Sequence, residues 1–153
     1  MATTLVLAWL VGAQLWAAHA GDSRLYRWRA GKLVQLTRDH SFSQELLDAG
    51  MVSEEEARQL PAKNLVTRAL GADAELEPEI ATHDLNAGDV LLLCSDGLSE
   101  MLNHAEIETI VGADETLELR AQRLVALANE AGGRDNVSVI LVRVSDGSPE
   151  RVV

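Results

Sequence analysis

The chain of 153 residues contains a single cysteine, Cys94. No internal disulfide is possible, and nothing in the composition calls for an oxidising compartment. Cys94 lies in the apolar run VLLLC at 90–94, where a small thiol acts as a buried hydrophobe. No apolar run is long enough to span a membrane, since Gly12 and Gln14 interrupt the one near the start. Positive charge is scarce: 13 Lys and Arg stand against 24 Asp and Glu, a formal net charge of −11. So acidic a surface excludes nucleic acid as the main partner, because phosphate binding needs a basic patch. Clustered carboxylates suit hard divalent cations, but composition alone does not separate that role from plain solubility.

A basic leader is also lacking. AAHAG at 17–21 has the small residues of a signal-peptide cleavage site, yet the first basic residue is Arg24, beyond the cut. A secretory signal places its positive charge ahead of the apolar stretch. The runs TTLVLAWL and QLWAAHA flank Gly12 and read instead as a β-hairpin. LYRWR and LVQLT, separated by Ala30-Gly31-Lys32, continue as antiparallel strands. With no targeting segment, the expected location is the cytoplasm, with no membrane association.

From about 41 to 71 the pattern changes to a small insert. SFSQELLDAG predicts a helix ended by Gly50. Ser53 with Glu56 three residues on predicts a capping box, and Pro61 ends that helix. PEIATHDL alternates as a strand, and VLLLCS is apolar on consecutive positions, a strand buried on both faces. A short helix starts at Leu98. Leu117, Ala121, Leu124, Ala128 and Ala131 recur at helical spacing, with Gly132-Gly133 as the stop. VSVILVRV reads as a second strand buried on both faces, with Arg143 near its end reaching solvent. Residues 1–145 form one domain, and 146–153 a polar, frayed tail. Strands apolar on both sides need layers above and below, so two packed sheets flanked by helices are expected.

Three aspartates occupy similar places. Asp22 follows QLWAAHAG, Asp96 follows VLLLCS, and Asp135 precedes VSVILV. Each sits at the end of an apolar strand beside a glycine or tight turn. Taken singly, each reads most simply as a turn residue. Together they are placed to converge at one edge of a sheet sandwich, where like charges need a cation to hold them. Oxygen donors favour Mg²⁺ or Mn²⁺ over zinc. The histidines, His19, His40, His83 and His104, are scattered and show no zinc spacing.

In this order, "HAGDSRLYRWRAGKLVQLTRDHS", "LLLCSDGLSEML" and "GGRDNVSVILV" resemble the metal-dependent serine/threonine protein phosphatases of type 2C (the PPM family), bacterial branch. The resemblance covers about residues 3–144, with 41–71, including "LVTRALG", similar to the family's flap. It implies an α+β fold, a four-layer α-β-β-α sandwich of two antiparallel sheets flanked by helices. It implies a binuclear Mn²⁺ or Mg²⁺ site whose activated water attacks phosphoserine or phosphothreonine in line, with no phosphoenzyme. On this resemblance Asp96 matches the metal aspartate of "SDGL" and Asp135 that of "DN". Asp22 matches the "GDS" aspartate that helps hold a third, weaker metal. Glu100 stands where many relatives carry Asp. Arg24 is expected to brace the fold, and His19 to be a sheet residue rather than a catalytic one. Implied partners are phosphoserine and phosphothreonine proteins and a serine/threonine kinase acting on the same substrates.

The family's opening strands, its phosphate-binding Arg and its Asp-Gly-x-Gly-Gly metal motif are absent from this sequence. "MATTLVLAW" resembles the strand that follows them, so Met1 falls within a domain. The expectation is the C-terminal part of a phosphatase domain, with weak or partial cation binding when alone. The alternatives are a pseudophosphatase or partner-binding module, and a chain that self-associates through exposed sheet.

Overall fold

The computed structural model describes residues 2–61, 65–72, 76–145 and 148–152. Strands β1 (Leu5–Val11) and β2 (Gln14–Ala20) form the expected hairpin, closed by Gly12-Ala13. Gly12 has φ +58°, the positive first position that a two-residue hairpin loop assigns to glycine. β3 (Arg24–Arg29) and β4 (Lys32–Gln35) form a second hairpin, with positive φ at both Ala30 and Gly31.

After β4 come α1 (Phe42–Asp48) and α2 (Glu54–Gln59), the two short helices of the insert. Ser53 and Glu56 make the expected capping box. The flap-like stretch LVTRALG follows at 65–71. It has no helix and docks through bridges between Ser41 and Val66 and between Thr3 and Leu70. Residues 62–64 lie outside the described residues.

The remaining elements are β5 (Glu79–Asp84), β6 (Val90–Cys94), α3 (Asp96–Ser99), α4 (His104–Val111), α5 (Leu117–Glu130), β7 (Val139–Ser145) and β8 (Ser148–Val152). One sheet has the order β1-β2-β5, the other β4-β3-β6-β7-β8, and all pairings are antiparallel. α4 is not foreseen in the sequence reading, although Asn103 and Glu106 form a capping box and Ile107, Ile110 and Val111 are its buried face.

Strand β6 explains the layering. Val90, Leu92 and Cys94 point into a core shared with Leu98, Ile107, Val111, Leu117 and Leu124 of the helices. Leu91 and Leu93 point the other way, into a core with Leu15, Ala17 and Leu25 between the sheets. The expected burial of β6 on both faces therefore holds. The helix face read in α5 holds at Leu117, Ala121, Leu124 and Ala128, whereas Ala131 is the exposed C-cap.

Two expectations are corrected. β7 is not buried on both faces: Ile140 is 50% exposed, because the inter-sheet core reaches only Val142 and Val144 along that face. The expected frayed tail is instead strand β8, paired with β7 from Ser145↔Ser148 to Leu141↔Val152. The unsatisfied ladder edge of β7 provides the template for it. Asp146, Gly147 and Val153 lie outside the described residues. The sandwich of two antiparallel sheets is as expected, with α3, α4 and α5 covering the five-stranded sheet. The outer face of the three-stranded sheet leaves Leu5, Leu7, Trp9, Val11, Trp16 and Ile80 exposed. Among the described residues no helix is long and apolar enough to cross a membrane.

Candidate metal centre

Asp22 follows β2 in the turn to β3, and Asp96 follows β6 as the first residue of α3. β3 and β6 are neighbours, with Arg24 opposite Cys94. That register brings the two turns side by side. Asp22 is 8% exposed and Asp96 half-buried. Both line one cavity of about 660 Å³, together with Arg24, Asp39, Glu54 and Glu100. It opens between the insert helices and the α3–α4 segment. Burial, the largest cause, and the neighbouring Asp96 charge push the Asp22 carboxyl up to about 6, against an opposing backbone hydrogen bond. Two carboxylates that share a cavity repel each other, and a hard cation between such groups would offset that repulsion.

Asp135 is attached to the same corner through the backbone. Ser95 N–H donates to Ser138 O (3.1 Å), Ser138 N–H to Ser95 Oγ (3.0 Å), and Ser95 Oγ–H to Asn136 O (3.0 Å). Gly97 packs so closely that a Cβ there would lie 2.4 Å from Asn136 O and 3.4 Å from the Asp135 carbonyl carbon. The Asp135 carboxylate, however, is exposed, accepts the Asn136 N–H (2.7 Å), and lines a neighbouring cavity of about 500 Å³ with Asn129, Gly133 and Arg134. Asp22 and Asp96 therefore share one cavity, whereas Asp135 lines the neighbouring one and only its loop backbone is tied to the shared corner. The three carboxylates do not form a closed cage.

Arg24 braces rather than reaches out. It donates to both carboxylate oxygens of Asp39 (2.6–3.0 Å) and to the Tyr26 hydroxyl (3.1 Å). Asp39 was not singled out in the sequence, since only the β3–β4 register reveals it as the partner of Arg24. The Cys94 thiol is buried and pushed up to about 12 by that burial, so it is chemically quiet.

The histidines are less scattered than their spacing implies. His19 and His40 stack with ring centroids 4.5 Å apart, and with Glu79 their donor atoms lie within 4.8 Å of one another. This trio does not fit a metal as it stands. Gly21 N–H donates to His40 Nδ1 (3.2 Å), which leaves the proton on Nε2, the atom facing Glu79 at 3.4 Å. His40 thus turns an N–H, not a lone pair, toward the carboxylate.

The profile of the family Protein phosphatase 2C matches residues 1–137, and the chain belongs to that family. Protein phosphatase PhpP of Streptococcus pneumoniae is 43% identical over 98% of this chain and 61% of its own length. The serine/threonine phosphatase stp of Listeria monocytogenes is 42% identical over 93% of this chain and 56% of its own. The Streptococcus agalactiae serine/threonine phosphatase superposes with a TM-score of 0.89 at 42% identity, over 93% of this chain and 59% of that one. The catalytic domain of the serine/threonine phosphatase PstP, solved with two manganese ions, gives 0.86 at 41% identity over 95% and 60%. The chain spans about three fifths of the length of these relatives.

One consequence concerns stability. A carboxyl raised in the folded state favours its protonated form there, so its cost is present above pH 6 and disappears as pH falls toward 3.8. Without divalent cations, Asp22→Asn is expected to stabilise the fold at pH 7.5 by roughly 1–3 kcal/mol. The gain should shrink toward zero at pH 4. Urea unfolding in EDTA at both pH values measures it, and an equal effect at both would contradict the placement of Asp22.

Proposed function

We propose that this chain is part of a metal-dependent protein phosphatase domain acting on phosphoserine and phosphothreonine. The observation that carries the proposal is the buried Asp22 beside Asp96 in a cavity of about 660 Å³. Asp22, Asp96 and Asp135 are the residues assigned to hold Mn²⁺ or Mg²⁺, and their all-oxygen chemistry suits either ion. When bound, such ions supply Lewis acidity and lower the pKa of water. The remaining roles belong to the chain. β2 and β6 deliver the acids, Ser95 ties the Asp96 turn to the Asp135 loop, and Arg24 with Asp39 stiffens the cavity wall.

Residues 1–145 supply the domain's share of the site, and the insert at 41–71 forms one wall of the substrate groove. The substrates are phosphoproteins, shared with a serine/threonine kinase, and the setting is cytoplasmic. A second reading, a partner-binding module without catalysis, draws on the outward Asp135 carboxylate and the exposed apolar sheet. That apolar face also gives the chain a surface for self-association.

The deciding experiment is release of phosphate from a phosphothreonine peptide by the purified chain with Mn²⁺ and with EDTA. Mn²⁺-dependent turnover supports catalysis. A folded chain that binds the peptide and releases no phosphate supports the second reading.

A further inference from the structure

The Gly21-Asp22 turn is gripped from outside by one short stretch, residues 38–40. Arg38 O accepts the His19 Nε2–H (2.7 Å), Asp39 takes the Arg24 guanidinium, and His40 holds Gly21 twice. Its backbone N–H donates to Gly21 O (3.0 Å), and its Nδ1 accepts the Gly21 N–H (3.2 Å). Gly21 has φ +111°, and a Cβ there would lie 2.4 Å from Thr4 Cγ2. The peptide before Asp22 is therefore wedged between Thr4 of the β1 side and His40. His40 is itself immobilised: it is 7% exposed, stacked on buried His19, and its carbonyl accepts the Thr67 N–H (2.8 Å). It does not line the cavity that Asp22 and Asp96 share.

We propose that His40 is a positioning residue that holds Asp22 in its buried place beside Asp96 through the Gly21 peptide. The proposal rests on the reading of Asp22 as a cation ligand. Placing buried Asp22 beside half-buried Asp96 sets like charges against each other, so the Gly21-Asp22 turn needs restraint. The imidazole acceptor on the Gly21 N–H, one residue before Asp22, provides it, as supporting residues around metal sites orient the ligands themselves.

Three variants separate this role from general packing. In His40→Asn, Oδ1 falls near the place of Nδ1 and keeps the acceptor. His40→Leu removes it, and His40→Gln carries its acceptor one carbon too far. Two readouts are used: hydrogen exchange of the Gly21 and Asp22 amides in EDTA, and Mn²⁺ affinity by electron paramagnetic resonance. Leu and Gln variants are expected to exchange at least about 10-fold faster at these amides than global stability explains, and to bind Mn²⁺ roughly 10–100-fold more weakly. The Asn variant should stay within about 3-fold of the parent in both. Equal losses in Asn, Gln and Leu variants, or none in any, would overturn the proposal. If the parent itself takes up no Mn²⁺, the cation reading of Asp22 falls, and amide exchange alone still decides the role of His40.

Discussion

Asp96→Asn is expected to reduce Mn²⁺-dependent phosphate release by more than about 100-fold, beyond the loss typical of residues that merely support a ligand. The reason is position. Asp96 starts α3 directly after the buried strand β6, and it is the acid whose charge acts most strongly on Asp22. Asparagine keeps the shape and one oxygen but removes the charge that a hard cation needs. Stability should move the other way. Without metal, the variant is relieved of one like-charge pair, so its melting temperature in EDTA should equal or exceed the parent's. The parent's rise in melting temperature on adding Mn²⁺ should shrink sharply in the variant, since ligand binding stabilises only what it binds. A variant that loses stability in EDTA together with turnover would assign Asp96 a structural role.

Gly97→Ala should be strongly damaging. The added methyl would meet Asn136 O at 2.4 Å and its carbonyl carbon at 3.0 Å. Both are backbone atoms, so no rotamer change relieves the clash. The Asp96 turn and the Asp135 loop must separate, breaking the Ser95 bonds that join them. A destabilisation of about 3 kcal/mol or more is expected, at or above the usual cost of overpacking. Mn²⁺-dependent turnover should fall with it. Gly12→Ala serves as the comparison: its φ of +58° carries strain, but nothing lies within 4 Å of the new methyl. It should cost only about 1–2 kcal/mol and leave metal dependence intact. Denaturant unfolding of both variants measures the difference, and equal costs would contradict the close approach at Gly97.

Much of the fold was legible because it rests on local chemistry. The Ser53–Glu56 capping box, the Gly12 and Gly31 turns and the consecutive apolar residues of β6 are each decided by a few neighbouring side chains. The site was legible in part for the same reason, since Asp22 and Asp96 mark strand ends. Contacts set by long-range register were not. Asp39 meets Arg24 only because β3 pairs with β4, and His40 meets Gly21 only because the chain returns past β2 after β4. The outward turn of the Asp135 carboxylate follows from its bond to the Asn136 N–H, which strand patterning does not encode. β8 escaped notice because its residues are polar and its pairing depends on the free edge of β7.

The proposed function assigns Asp22, Asp96 and Asp135 to divalent cations. Electron paramagnetic resonance titration of Mn²⁺ at pH 7.5 tests it directly, on the parent chain and on a variant with all three acids changed to Asn. Saturable uptake is expected of the parent, and none above background of the folded triple variant. Equal uptake by the two would contradict it, and would move the cation to other acids of this strongly acidic chain.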